Sequence, residues 1–134
     1  MYRILSQTTK NRLYLTLQGK MDIAEAKKFV NQATQEIKKL NPGYGVITDI
    51  SGFELVAEDI RQNIEELLCT IKATKVGHVF RVTNPGYPMV SMQWQRTSWK
   101  MGYVAENVNS LGEAERKLDE MEYKTANKMA ALVA

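Results

Sequence analysis

One cysteine and one histidine limit the chemistry available to this chain of 134 residues. Cys69 would need a lowered pKa and a neighbouring base to act as a nucleophile. It stands among Leu67, Leu68 and Ile71, so the spacing predicts a small buried hydrophobe on a helix. His78, beside Val79 and Phe80, reads as a core or half-exposed imidazole in the middle of a strand. A lone Cys allows neither an internal disulfide nor a cysteine zinc cage. The acids Asp49, Glu54, Glu58 and Asp59 gather where an apolar run ends. The carboxyl ends of strands are where open α/β sheets bind ligands. A metal or acid–base pair there would require two carboxylates to converge, which nothing in their spacing imposes. Gly43-Tyr44-Gly45 precedes an apolar run instead of following one, the wrong context for a dinucleotide fingerprint. No catalytic residue, metal or cofactor is expected.

The most unusual stretch is Asn84 to Tyr103, which holds Tyr87, Met89, Met92, Trp94, Arg96, Trp99, Lys100 and Met101. On a helix Met92, Arg96 and Trp99 or Lys100 share one face, and Trp94 lies well away from them. One Trp is therefore expected to pack inward and the other to face water. An exposed Met, Trp and Arg surface is what partner interfaces favour. The alternative is a small apolar, lipid-like ligand held in a pocket of Tyr87, Met92 and Trp94 beneath the helix.

Charge is arranged in blocks. Residues 1–48 carry eight bases against three acids, and 49–66 carry six acids against one base. Residues 67–105 carry five bases and no acid, and 106–134 carry four bases against six acids. The net +3 hides this alternation, which bears on steering and docking, not on fold. With acids elsewhere and so small a net charge, nucleic acid is not an expected partner.

These residues must be positioned by regular elements. Residues 2–8 and 12–18, the second with Leu13, Leu15 and Leu17 at period two, predict a hairpin about Lys10-Asn11. Asp22 with Glu25 has capping-box spacing. Ile23, Ala26, Val30, Ala33, Ile37 and Leu40 then form a helical stripe that Asn41-Pro42-Gly43 stops. Residues 44–50 predict a central strand closed by Ser51-Gly52. Glu58-Asp59 open a second helix with Ile60, Ile64, Leu67, Leu68 and Ile71 on its stripe. A strand over 75–82, a helix over 89–101 capped by Gly102, a strand over 103–108 and a helix begun by Ser110 and Glu113 complete the series. The expectation is an α/β fold in a single domain over 1–122, with a mixed sheet of about five strands and about four helices in the order β-β-α-β-α-β-α-β-α. Residues 123–134 are a tail or an extension of the last helix. No run of 18 apolar residues occurs, so no membrane span is expected. The first residues lack a signal-peptide core, and a reducing cytoplasm is the expected location.

This order, with Val46-Ile47-Thr48-Asp49-Ile50-Ser51-Gly52 after the third strand and Met101-Gly102-Tyr103 and Leu111-Gly112-Glu113-Ala114 near the end, resembles the STAS domain, and within it the SpoIIAA-like group of small bacterial proteins. The resemblance covers about residues 2–121. It implies a non-catalytic regulatory module of the anti-sigma factor antagonist kind. Phosphoregulated members place an Asp-Ser pair at the start of the helix after the third strand. Here Ala57 and Glu58 occupy that place, and no Ser or Thr lies between Gly52 and Cys69. The family phosphoswitch is therefore not expected. The expected partner surface is Asp49, Ser51, Glu58 and Asp59 with Arg96 and Trp99, facing a protein partner or a second copy of the chain.

Overall fold

Period-two alternation at the start of the chain becomes a hairpin. β1 (Tyr2–Gln7) pairs antiparallel with β2 (Arg12–Gly19), Tyr2 opposite Leu17 and Gln7 opposite Arg12. Asn11 takes the left-handed backbone (φ 54°) that the tight turn needs. The computed structural model describes residues 1–133. After the hairpin come α1 (Ile23–Ile37), β3 (Gly45–Phe53), a 3-10 turn (Glu58–Ile60), α2 (Arg61–Ala73), β4 (Val79–Val82), α3 (Pro88–Met101), β5 (Glu106–Val108) and α4 (Leu111–Val133). The strands lie in the sheet in chain order, with β2 to β5 parallel. The α/β fold with a mixed five-stranded sheet and four helices is thus as expected.

Chain order in the sheet decides where the helices go. Each parallel step moves one strand in the same direction, and right-handed crossovers then place their helices on one face. Accordingly α1 packs on α2 and α2 on α3. After β5 the chain turns back, and α4 contacts β3, β4 and β5. The two faces bury separate cores. Leu13, Leu15, Leu17, Val46, Ile50 and Trp94 belong to the larger one, and Ile47, Phe80, Val82, Val108, Ala114 and Leu118 form the smaller one under α4. Emptying such a position by Leu→Ala costs about 2–5 kcal/mol.

Several boundaries differ from expectation for local reasons. Ser51-Gly52 does not end the third strand. Gly52 and Phe53 pair with Gln18 and Gly19 after a register shift, and buried Phe53 meets Trp94 edge-on at 6.2 Å. The fourth strand starts four residues late. Lys75 is left-handed (φ 63°), and Gly77 N–H donates to Tyr44 C=O at 2.8 Å, so residues 75–78 form a connection. His78 lies in it and is exposed, not mid-strand. The fifth strand keeps only Glu106–Val108. In α1, Asp22 accepts the Glu25 N–H at 2.8 Å as the capping spacing predicts. Ile23 is exposed, however, and Phe29 is fully buried in the face that the stripe was to supply. Residues 123–133 continue α4 as helix with exposed side chains. Ala134 lies outside the described residues.

Candidate functional site

α3 is built to show an apolar stripe outward. Pro88 occupies its first turn, where the missing N–H costs nothing. Gly102 ends it in the left-handed conformation (φ 94°). Val90, Ser91, Trp94 and Ser98 turn to the sheet. Met89, Met92, Arg96 and Trp99 recur at intervals of 3, 4 and 3 along the opposite face, and Met89, Met92 and Trp99 are 58%, 59% and 65% exposed. The expectation of one inward and one outward Trp holds, since Trp94 is 1% exposed.

The helix is also fixed in place. Gln93 grips the segment before the 3-10 turn in both directions: it donates to Val56 C=O at 3.1 Å and accepts the Val56 N–H at 2.8 Å. Lys100 pairs with Glu65 of α2 at 3.2 Å. Between α3, α2 and the 3-10 turn lies a cavity of about 150 Å³ lined by Val56, Glu58, Arg61, Ile64, Gln93, Trp94, Arg96 and Thr97. Arg61 is engaged by Glu58 and Glu65 at 3.5 and 3.6 Å. Among the described residues Arg96 has no ion pair.

The expected partner residues divide between the two faces. Glu58 and Arg96 border the same cavity, with Asp59 next to Glu58 and Trp99 one helical turn from Arg96. Asp49 lies on the α4 face, in a groove with Leu5, Tyr14, Leu111 and Glu115. Ser51, two residues along the same strand, donates its hydroxyl to Asp49 at 2.6 Å and its N–H to the same carboxylate oxygen at 3.0 Å. Asp49 thus holds the strand end locally, away from Arg96 and Trp99. The proposed pocket residues do not gather either. Trp94 lines the cavity behind α3, Tyr87 lines a separate cleft of about 10 Å³ with Ile50 and Thr83, and Met92 points to solvent.

Cys69 is exposed on the outer side of α2, contrary to expectation. Leu67, Leu68 and Ile71 take the inward positions, and residue 69 falls about 100° from Leu68 at 3.6 residues per turn. No cluster of three or more His, Cys, Asp or Glu able to hold a metal occurs among the described residues. None of their helices is long and apolar enough to cross a membrane.

Two buried arginines were not foreseen. Arg12 is 1% exposed on the α4 face. It donates to Glu115 at 2.8 Å, Asp119 at 2.6 Å and Glu122 at 3.3 and 3.0 Å, all on α4. Burial opposes its charge, but the hydrogen bonds to Glu122 and Asp119 outweigh this and hold its pKa above the ordinary value. Arg81 is also 1% exposed, but under α3. Its Nη1 donates to Gln95 Oε1 at 3.3 Å and Ser98 Oγ at 3.2 Å, and the ring of Trp94 lies 5.5 Å from the guanidinium carbon. Among the described residues, Arg81 Nε and Nη2, Trp94 Nε1 and the Tyr103 hydroxyl are buried with no partner in good hydrogen-bond geometry. Burial lowers the pKa of Arg81, with the nearby Tyr103 hydroxyl acting the other way, and burial pushes that hydroxyl up to about 12. The only sequence signal for Arg81 is its place among Val79, Phe80 and Val82 within the acid-free block. No protein-family model matches the chain, and no curated protein sequence matches it.

Proposed function

We propose that the chain is a non-catalytic, cytoplasmic protein-interaction module of the STAS type that docks through the outer face of α3. The observation that carries this reading is the exposed stripe Met89, Met92, Arg96 and Trp99 on a helix clamped by Gln93 and Lys100. Long apolar side chains are not left in water on one face of a rigid helix by packing needs, since Trp94 and Val90 already fill the inner face. Trp and Arg are the residues that most often dominate binding energy when covered. Arg96, without an ion pair, suits a partner carboxylate beside an apolar cleft, and Glu58, 86% exposed across the cavity, would select against an acidic surround. The element order and sequential mixed sheet are in keeping with the resemblance.

The test compares three proteins as bait in extracts of the native cell: the wild-type chain, Trp99→Ala and Arg96→Ala. A partner retained by the wild type should be lost at least about tenfold with Trp99→Ala, the size of effect a central aromatic carries. Melting temperatures should stay unchanged, because an exposed side chain contributes within about 0.5 kcal/mol to stability. Equal recovery by all three proteins counts decisively against docking through α3.

A further inference from the structure

The outer face of α3 leaves its buried side unexplained. Arg81 keeps its charge at any physiological pH, and its side chain is 1% exposed. A charge so placed is normally paired with an opposite one, because desolvation is otherwise very costly. Its protein partners are an amide oxygen and a hydroxyl, both neutral and both on Nη1. The other edge of the guanidinium, Nε and Nη2, is unpartnered. Two more buried polar groups stand beside it: Trp94 Nε1, on the ring that lies over Arg81, and the Tyr103 hydroxyl, close enough to favour the Arg81 cation but outside good hydrogen-bond geometry. All four atoms can donate, and the one acceptor among them, the Tyr103 hydroxyl, is neutral and brings no negative charge to balance Arg81. The buried cation lacks a counter-charge, which one anion with two acceptor oxygens would supply.

We propose that Arg81, Trp94 and Tyr103 form a buried receptor for the carboxylate of a small organic acid. The Nε–Nη2 edge is the side-on fork that matches the two oxygens of a planar carboxylate. One cation balances one carboxylate, whereas a phosphate dianion would leave a buried charge over. The cavity of about 150 Å³ does not reach Arg81 or Tyr103, whose free polar atoms are closed off, but Trp94 borders both it and Arg81, so the acid would enter from the cavity as the Trp94 ring shifts. That volume has room for a short aliphatic tail, and the unpaired Arg96 on the cavity wall favours entry of an anion. The receptor lies on the inner side of the helix, and the cavity leading to it shares Arg96 with the docking face.

Titration of the full chain, labelled with nitrogen-15, with sodium butyrate tests this, with sodium chloride and sodium phosphate at matched ionic strength as controls. The Arg81 Nε–H and Trp94 Nε1–H resonances should move and saturate with butyrate alone, and the melting temperature should rise with it. Arg81→Met should abolish the saturable movement of Trp94, and Tyr103→Phe should weaken butyrate binding roughly ten- to a hundredfold, the worth of one hydrogen bond to a charged group. Absence of saturable movement overturns the proposal, and so does equal saturation by chloride. Saturation by phosphate in place of butyrate overturns the carboxylate assignment. Should Arg81→Met fail to fold, Tyr103→Phe decides: an unchanged butyrate affinity overturns the receptor.

Discussion

Arg12 and Arg81 are equally inaccessible, each 1% exposed, yet they lie on opposite faces of one sheet and meet unlike surroundings. Arg12 receives three carboxylates from successive turns of α4. Arg81 receives an amide, a hydroxyl and an aromatic ring from α3. The contrast separates two uses of a buried cation. The first joins two elements, because among the described residues α4 is the only helix on its face and its smaller core of six buried residues leaves room for a polar tie. The second also reaches a helix, but only through neutral groups, where Trp94 and Val90 already bind α3 to the sheet. A charge kept where neutral contacts would serve suggests a use other than holding the fold together.

The largest effect that would sharpen this contrast is loss of the α4 tie. Arg12→Met removes the cation and leaves Glu115, Asp119 and Glu122 facing one another. Breaking a buried ion pair from one side costs about 3–5 kcal/mol, and the partly exposed carboxylates discount this toward about 3. Chemical denaturation should show that loss, together with a melting temperature lower by roughly 10 °C for a domain of this size. A change under about 1 kcal/mol would mean that the three bonds are cosmetic and that the two arginines do not differ in kind.

The second effect has the opposite sign. Arg81→Met replaces a poorly compensated charge by an apolar chain of similar length. Such exchanges are neutral or stabilise by about 1–3 kcal/mol. Denaturation of this variant without added ligand should therefore give an unchanged or higher midpoint. A loss as large as that of Arg12→Met would show that Arg81 is already balanced and would dissolve the comparison.

The elements themselves were legible because their signals are local. Leu13, Leu15 and Leu17 alternate at period two and are all buried, and Asp22 caps α1 as its spacing requires. Ile60, Ile64, Leu67, Leu68 and Ile71 all face inward as read. The arginines were not legible, because their burial depends on which helix covers which face. Arg12 begins a strand and reads as a solvated end. Only the reversal after β5, which brings α4 over it, makes it interior. Arg81 sits in a strand buried on both faces, where alternation no longer separates polar from apolar. Asp49 and Trp99 were grouped by nearness in a predicted order, whereas strand pleat sends Asp49 to the face opposite α3. The position of Cys69 was misjudged because a residue one step from the stripe turns by 100° to the outside.

The smallest effect divides the two arginines by pH. The hydrogen bond from Arg12 holds Asp119 below its ordinary carboxyl pKa of 3.8, against a weaker opposing effect of burial. A carboxyl whose folded pKa is depressed adds stability that is present above its unfolded value and is lost as pH falls through the folded one. The gap in urea midpoint between the wild type and Asp119→Asn should therefore be full at pH 6 and close progressively below about pH 4. Arg81 has no carboxylate to protonate, so the gap between the wild type and Arg81→Met should not change across that window unless an organic acid is bound. Adding butyrate should then open a second acid-sensitive gap, at the pKa of the bound acid instead of that of Asp119. A pH-independent gap for Asp119→Asn would mean that this residue stays unpaired in solution, leaving Glu115 and Glu122 to hold Arg12 against α4.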